Sequence, residues 1–282
     1  MDDLADMRAP LVAAGGALIP QIGLGTYQLR GQMCADTVAR ALDLGYRHID
    51  TAQGYANEGE VGEGIAASGV PRDEIFITTK IQPERMADGD LQRSVEESLV
   101  RLRVDQIDLL LLHWPTPQFP LAGSVRALNA VKAQGLARHI GLSNFTAPLL
   151  AEALRLTREP FVTEQIEYHP YLDQTRMLTA LRHHGLAITA YCPLALGRVT
   201  SDARIRRIAE AHGKTAAQVT LRWLVQQPDV IAIPKTSHVG RLRENLAIFN
   251  FTLDTHEVAE LNGLTQPGSR LINEPRWVPE WD

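Results

Sequence analysis

Eight times along the chain a short apolar run ends in a polar residue or turn, and segments with helical spacing lie between the runs. Few folds can absorb such a repeat. The runs occupy residues 22–26, 47–51, 75–80, 107–113, 139–143, 161–166, 186–191 and 230–234. They show little apolar–polar alternation, as expected of parallel strands buried on both faces. Between them, Val38, Ala41 and Leu42 before Gly45 predict a helix closed by glycine, as do Val125, Leu128 and Val131 before Gly135 and Met177, Leu178 and Leu181 before Gly185. Leu91, Val95, Leu99 and Leu102 follow Asp90 at steps of three and four, and Asp254 and Glu257 have capping-box spacing ahead of Val258 and Leu261. Eight such βα units in 282 residues predict a single domain, an α/β protein with the closed (β/α)8 TIM barrel fold. A doubly wound sheet stays open on counting alone. Two segments fall outside the units. Gly15-Gly16 between short apolar stretches predicts an N-terminal β-hairpin that could plug the barrel bottom, and the tail at 266–282, with Trp277, Trp281 and three prolines, could lie over the active-site face.

Composition narrows the function classes. A formal net charge of -5 gives no general attraction to nucleic acid or an anionic membrane, so any anionic ligand needs a local basic cluster. No stretch approaches the roughly 18 apolar residues of a membrane span. Residues 1–10 carry Asp2, Asp3 and Asp6 without an apolar run, which is not a signal peptide, and the only cysteines are Cys34 and Cys192. A cytoplasmic protein acting on a small molecule is the expectation. No paired-cysteine or His-Glu-x-x-His pattern is present, so no metal is expected.

In a β/α barrel the C-terminal ends of the strands converge, so the polar residues that end the runs are the candidates for chemistry. Asp50, Lys80 and His113 end three consecutive runs, and Tyr55 follows Asp50 by one loop turn. Each alone has an ordinary structural reading; together they suggest proton transfer. A free tyrosine titrates near 10, too high for an efficient acid at neutral pH. A lysine ammonium about 4 Å away, at an effective dielectric near 20, supplies the roughly 3–4 kcal/mol that would lower it by two or three units. Asp50 would keep Lys80 charged, and His113 would hydrogen-bond a substrate oxygen. A Schiff-base reaction at Lys80 is the rival on these residues alone.

The same residues lie in segments that resemble the aldo-keto reductase superfamily. These are Gly-Leu-Gly-Thr at 23–26, Gly-Tyr-Arg-His-Ile-Asp-Thr-Ala at 45–52 with Tyr55, Ile-Thr-Thr-Lys at 77–80, Leu-Leu-His-Trp-Pro at 111–115, Ile-Gly-Leu-Ser-Asn-Phe at 140–145, Gln-Ile-Glu-Tyr-His-Pro-Tyr at 165–171 and Ile-Pro-Lys at 233–235. They follow the family's order, and the short loops are similar to its bacterial 2,5-diketo-gluconate reductase-like branch. The resemblance implies an NADPH-dependent reductase of aldehydes, ketones or dicarbonyls that works by direct hydride transfer, with Asp50, Tyr55, Lys80 and His113 as catalytic tetrad and Tyr55 as proton donor. It implies that Ser143, Asn144 and Gln165 hold the nicotinamide carboxamide and that Tyr191 stacks on the ring, with Thr26, Tyr27, Pro193 and Leu194 also along the cofactor. Lys235 and Arg241, with Thr236 and Ser237 nearby, match the grip on the 2′-phosphate, and Glu244 and Asn245 match adenine contacts. Tyr27, Trp114, Asn273 and Trp277 are the candidate substrate pocket.

The chain departs from the family pattern at two places. Glu164 precedes Gln165 where many relatives have Asn, and Cys192 and Ala195 stand where Ser and Gly are common.

Overall fold

Gly15 and Gly16, both at positive φ, turn the chain between β1 (Leu11–Ala14) and β2 (Ala17–Pro20), which pair antiparallel. The computed structural model describes residues 9–274 and 276–281. The sequence expectation for residues 1–10 therefore falls mostly outside the described residues, as do Pro275 and the last residue of the tail. Each apolar run then becomes one strand: β3 (Leu24–Gly25), β4 (His48–Asp50), β5 (Phe76–Ile81), β6 (Ile107–Leu112), β7 (Ala137–Ser143), β8 (Phe161–Glu167), β9 (Ala187–Tyr191) and β10 (Val230–Ala232). Neighbours in the chain are neighbours in the sheet, and all pair parallel.

The sheet closes on itself between its first and last strands. Parallel bridges join Ile22 to Ala232 and Gly25 to Lys235, and Gly23 N and Gly25 N donate to the carbonyls of Ala232 and Pro234 at 2.9 and 3.2 Å. Glycine is needed at this seam. A Cβ on Gly23 would lie 2.8 Å from the His48 ring, and one on Gly25 only 2.7 Å from the Ile233 carbonyl oxygen. The doubly wound alternative is thereby removed, and the fold is the expected (β/α)8 barrel.

Helices α1 (Gly31–Asp43), α2 (Glu58–Ser68), α3 (Asp90–Leu102), α4 (Leu121–Ala133), α5 (Ala147–Leu156) and α6 (Thr175–His183) follow β3 to β8 in turn. The β9–β10 connection holds two, α7 (Ala203–His212) and α8 (Ala216–Val225), and α9 (Val239–Leu246) and α10 (Thr255–Asn262) follow β10. Apolar periodicity did not announce α8. Val219, Thr220, Leu221, Trp223, Leu224 and Val225 are all buried, with only Arg222 partly exposed among them, so no polar stripe marks its outer face.

The main core fills the shell between strands and helices, while a second cluster sits inside the barrel floor. There Val12, Ala14, Ala17 and Ile19 of the hairpin pack against Leu109, Leu111, Val162, Ala187 and Ile231. At the opposite mouth the C-terminal segment crosses over. Gln266 N donates to the Tyr171 carbonyl at 3.0 Å, Leu271 and Ile272 reach Glu167, and Trp281 meets Trp114 edge-on at 6.2 Å between centroids. Among the described residues no helix is long and apolar enough to cross a membrane.

Candidate active site

β4, β5 and β6 deliver Asp50, Lys80 and His113 to the same mouth, because adjacent parallel strands end side by side. Lys80 is fully buried. Its Nζ donates to Asp50 Oδ1 at 2.6 Å, to the Thr51 carbonyl at 2.8 Å and to Tyr55 Oη at 3.4 Å. Tyr55 is carried by a single 3-10 turn, Gln53–Tyr55, which ends in a left-handed Ala56. His113 closes the group, its ring 5.6 Å from that of Tyr55, and Tyr27 covers the other side at 5.1 Å.

Electrostatics revise one expectation. Burial, and then the charges of Asp50 and Tyr27, hold the Tyr55 phenol well above its ordinary value rather than below it. The reason is in the pairing. Asp50 sits against the ammonium at 2.6 Å and offsets it, while its own charge raises the phenol further; desolvation contributes most. Tyr55 therefore carries its proton throughout the physiological range. Burial lowers Lys80 against the pull of Asp50, and burial followed by Lys80 pushes His113 well below the usual histidine range, leaving a neutral imidazole.

The residues expected to face the nicotinamide form a connected set. Gln165 Nε2 donates to Asp50 Oδ2 at 2.8 Å, which ties this set to the Lys80 pair. Asn144, left-handed at φ 65°, donates to the His113 carbonyl at 2.9 Å and accepts from Tyr191 Oη at 2.6 Å. Asparagine tolerates that backbone better than most residues. Ser143 Oγ donates to the Gln165 carbonyl and Thr26 Oγ1 to the Asp50 carbonyl, both at 2.9 Å.

The remaining expected residues are placed less uniformly. Lys235 lies beside the β3 seam and Arg241 in α9; both are exposed, and neither pairs with a carboxylate among the described residues. Thr236 is buried and Ser237 half-buried beside them. Glu244 borders a cavity of about 320 Å³ that Thr200, Arg206, Lys214 and Thr215 also line. Asn245 instead turns inward, buried, to the Tyr46 hydroxyl. Pro193 is buried and Leu194 partly so on the loop after β9. That loop holds Cys192, Ala195 and Leu196 at φ 48–53° and Gly197 at 94°. A side chain in that region costs about 1–2 kcal/mol, which explains why glycine suits the Ala195 position. At the rim, Trp114 pairs with Trp281, whose Nε1 donates to Asn273 Oδ1 at 3.0 Å, whereas Trp277 packs under Arg276.

Sequence reasoning passed over the polar residues beneath these groups. Gln53 fixes the turn of Tyr55 by donating to the Ser94 carbonyl and Ser98 Oγ and accepting from Gln82 N. Asn57 accepts from Thr51 and donates to the Thr26 and Leu29 carbonyls, linking three loops. Their only signal is a polar residue in a loop, which most loops contain.

Glu164 is the other departure with a physical account. Strand alternation sends Thr163 and Gln165 into the barrel and Glu164 outward. There it is fully buried, with Oε1 accepting from Phe145 N at 2.7 Å and Oε2 without a hydrogen-bond partner. Burial raises its carboxyl well above 4.5, so the folded chain keeps a proton that the unfolded chain releases. Its stability is present below 4.5 and is lost as pH rises. A Glu164→Gln variant should therefore gain on the parent above that value by up to about 1.4 kcal/mol per pH unit, read by urea unfolding from pH 4 to 8. A pH-independent difference would refute the buried proton.

The profile of the aldo/keto reductase family matches residues 21–266. The chain is 42% identical over 267 residues to methylglyoxal reductase DkgB of Escherichia coli O157:H7, covering 94% of this chain and 99% of that protein. A crystal structure provisionally described as a 2,5-diketo-D-gluconic acid reductase B superposes with a TM-score of 0.96 at 47% identity, covering 98% of each chain. The aldo-keto reductase of Bombyx mori in complex with NADP superposes at 0.88 with 30% identity, covering 95% of this chain and 96% of that one.

Proposed function

Because the chain belongs to the aldo/keto reductase family and is an NADP-dependent carbonyl reductase, we propose that Asp50, Tyr55, Lys80 and His113 are its catalytic residues and that dicarbonyls and keto-sugars are its preferred substrates. The observation that carries the first part is Lys80 Nζ, paired with Asp50 at 2.6 Å and lying 3.4 Å from the Tyr55 hydroxyl.

Bound NADPH supplies the hydride. The chain's own residues do the rest. His113, neutral, donates a hydrogen bond to the carbonyl oxygen. Tyr55 keeps its proton until the oxygen gains charge; an alkoxide is far more basic than a phenolate, so transfer then runs downhill. The Lys80 ammonium stabilises the phenolate as it forms, in a site where burial makes that interaction strong. Asp50 keeps Lys80 charged, and its second oxygen is held by Gln165.

The residues present fit the cofactor. Amide and hydroxyl groups of Ser143, Asn144 and Gln165 crowd one side of the mouth, and two exposed cations stand ready for a phosphate. We assign the 2′-phosphate to Lys235 and Arg241, a paired basic site suited to a group carrying more than one negative charge. Lys235→Ala or Arg241→Ala should raise the Kd for NADPH by about tenfold or more and that for NADH by less than about twofold, measured by fluorescence titration. Equal losses for both would remove the assignment. The whole chain is taken as one catalytic domain, a cytoplasmic monomer. The test of the reaction is NADPH oxidation with a panel of aldehydes, ketones and dicarbonyls; no turnover of any would overturn it.

A further inference from the structure

Glu167 ends β8 at the mouth of the barrel and is fully buried, yet it has no part in the proton relay. Its carboxylate accepts three hydrogen bonds. His169 Nε2 lies 2.9 Å from Oε1, Leu271 N 2.7 Å from Oε1, and Ile272 N 2.9 Å from Oε2. Two of these donors are consecutive backbone amides of the C-terminal segment, which has neither helix nor strand there to satisfy them. Beneath, Gln174 Nε2 holds the Glu167 carbonyl at 2.7 Å, so the acceptor is itself fixed.

What the carboxylate fixes continues into the pocket. One residue after Ile272, Asn273 Oδ1 accepts from Trp281 Nε1 at 3.0 Å. Arg270, one residue before Leu271, lies 3.5 Å over the Trp281 ring. Trp281 in turn meets Trp114, the neighbour of His113 in the chain. Arg270 and Trp281 also roof a cavity of about 30 Å³ over Phe145 and Ile166. The segment thus reaches from a buried strand-end carboxylate to the aromatic wall beside the catalytic histidine, with each step a named contact.

We propose that Glu167 is a positioning residue that anchors the 271–273 backbone and thereby holds the Trp281–Trp114 wall against which bulky carbonyl substrates bind. The inference rests on the reductase reading for the identity of the site, but not for the anchor. Small dicarbonyls, which do not reach the wall, are indifferent to it. Substrates with an aromatic or long apolar group lose a binding surface when the anchor is cut, without any change at Tyr55.

Hydrogen exchange and steady-state kinetics on the full-length protein test both parts. In Glu167→Ala the amides of Leu271 and Ile272 should exchange at least about tenfold faster, while those of β7 and β9 are unchanged. KM for an aromatic aldehyde should rise about tenfold with kcat within about threefold, whereas both constants for a small dicarbonyl should stay within about twofold. Ile272→Pro deletes one of the donors without touching the strand and should give the same pattern, weaker. It also serves if Glu167→Ala does not fold. Glu167→Gln, which keeps the shape and one acceptor oxygen, should restore part of the KM. Unchanged exchange at both amides, or an equal fall in kcat for both substrates, would overturn the proposal. Faster exchange in a protein whose parent reduces no carbonyl would sink the reductase reading and leave the anchor standing; an active parent with unchanged exchange would sink the anchor alone.

Discussion

A Tyr55→Phe enzyme is expected to bind NADPH within about threefold of the parent and to lose about 1,000-fold or more in kcat, the upper part of the range for a general acid. The expectation follows from the height of the phenol's pKa rather than from any lowering. Burial keeps Tyr55 protonated, so the proposed acid is held loaded, and Phe removes that proton while leaving the ring contacts with Tyr27 and His113. The neutral imidazole of His113 is left to donate a hydrogen bond and cannot replace the lost proton without becoming an anion. Stopped-flow measurement of hydride transfer, beside a fluorescence titration of NADPH, separates the two quantities. Near-normal transfer in the variant would end the assignment.

Lys80→Met should damage both turnover and folding, and the two losses can be pulled apart. Removing the ammonium takes away the charge that stabilises the Tyr55 phenolate. It also strands Asp50, 1% exposed, without its ionic partner. Breaking a buried pair from one side costs about 3–5 kcal/mol. Adding Asp50→Asn should return most of that stability, because an amide can satisfy the Gln165 contact without a buried charge. It should return none of the activity, since the phenolate still lacks its cation. Recovery of turnover in the double variant would show that Lys80 serves only to hold the fold.

The architecture was legible because each strand of a closed parallel barrel is apolar on both sides, and such runs stand out from their helical connections. The convergence of the candidate catalytic residues was legible for a related reason: each run ends in a polar residue, and in this topology strand ends meet. What stayed hidden was hidden physically. α8 has no polar stripe to give it a period, and the charged α7 and α9 bury few residues each. Gln53, Asn57 and Glu167 act through contacts with residues distant in the chain, such as Gln53 to Ser94, Asn57 to Thr26 or Glu167 to Ile272, and nothing local marks them. The direction of the Tyr55 shift was missed because a lysine was weighed without the desolvation and the counter-charge that folding brings with it. The departures at Glu164 and Ala195 carry costs that only the fold displays, an unpaired buried carboxyl oxygen in one case and a side chain in a left-handed loop in the other.

The hairpin of β1 and β2 has a bearing on how the enzyme reloads. Among the described residues, Val12, Ala14, Ala17 and Ile19 stopper the underside of the barrel with an apolar cluster, which disfavours a proton route from below to the proposed acid. On the assignment proposed above, each proton that Tyr55 gives away would be replaced from the same side by which substrate enters and product departs. Recharging and release then share one gateway, so a bound product that seals the mouth also delays the next cycle's proton.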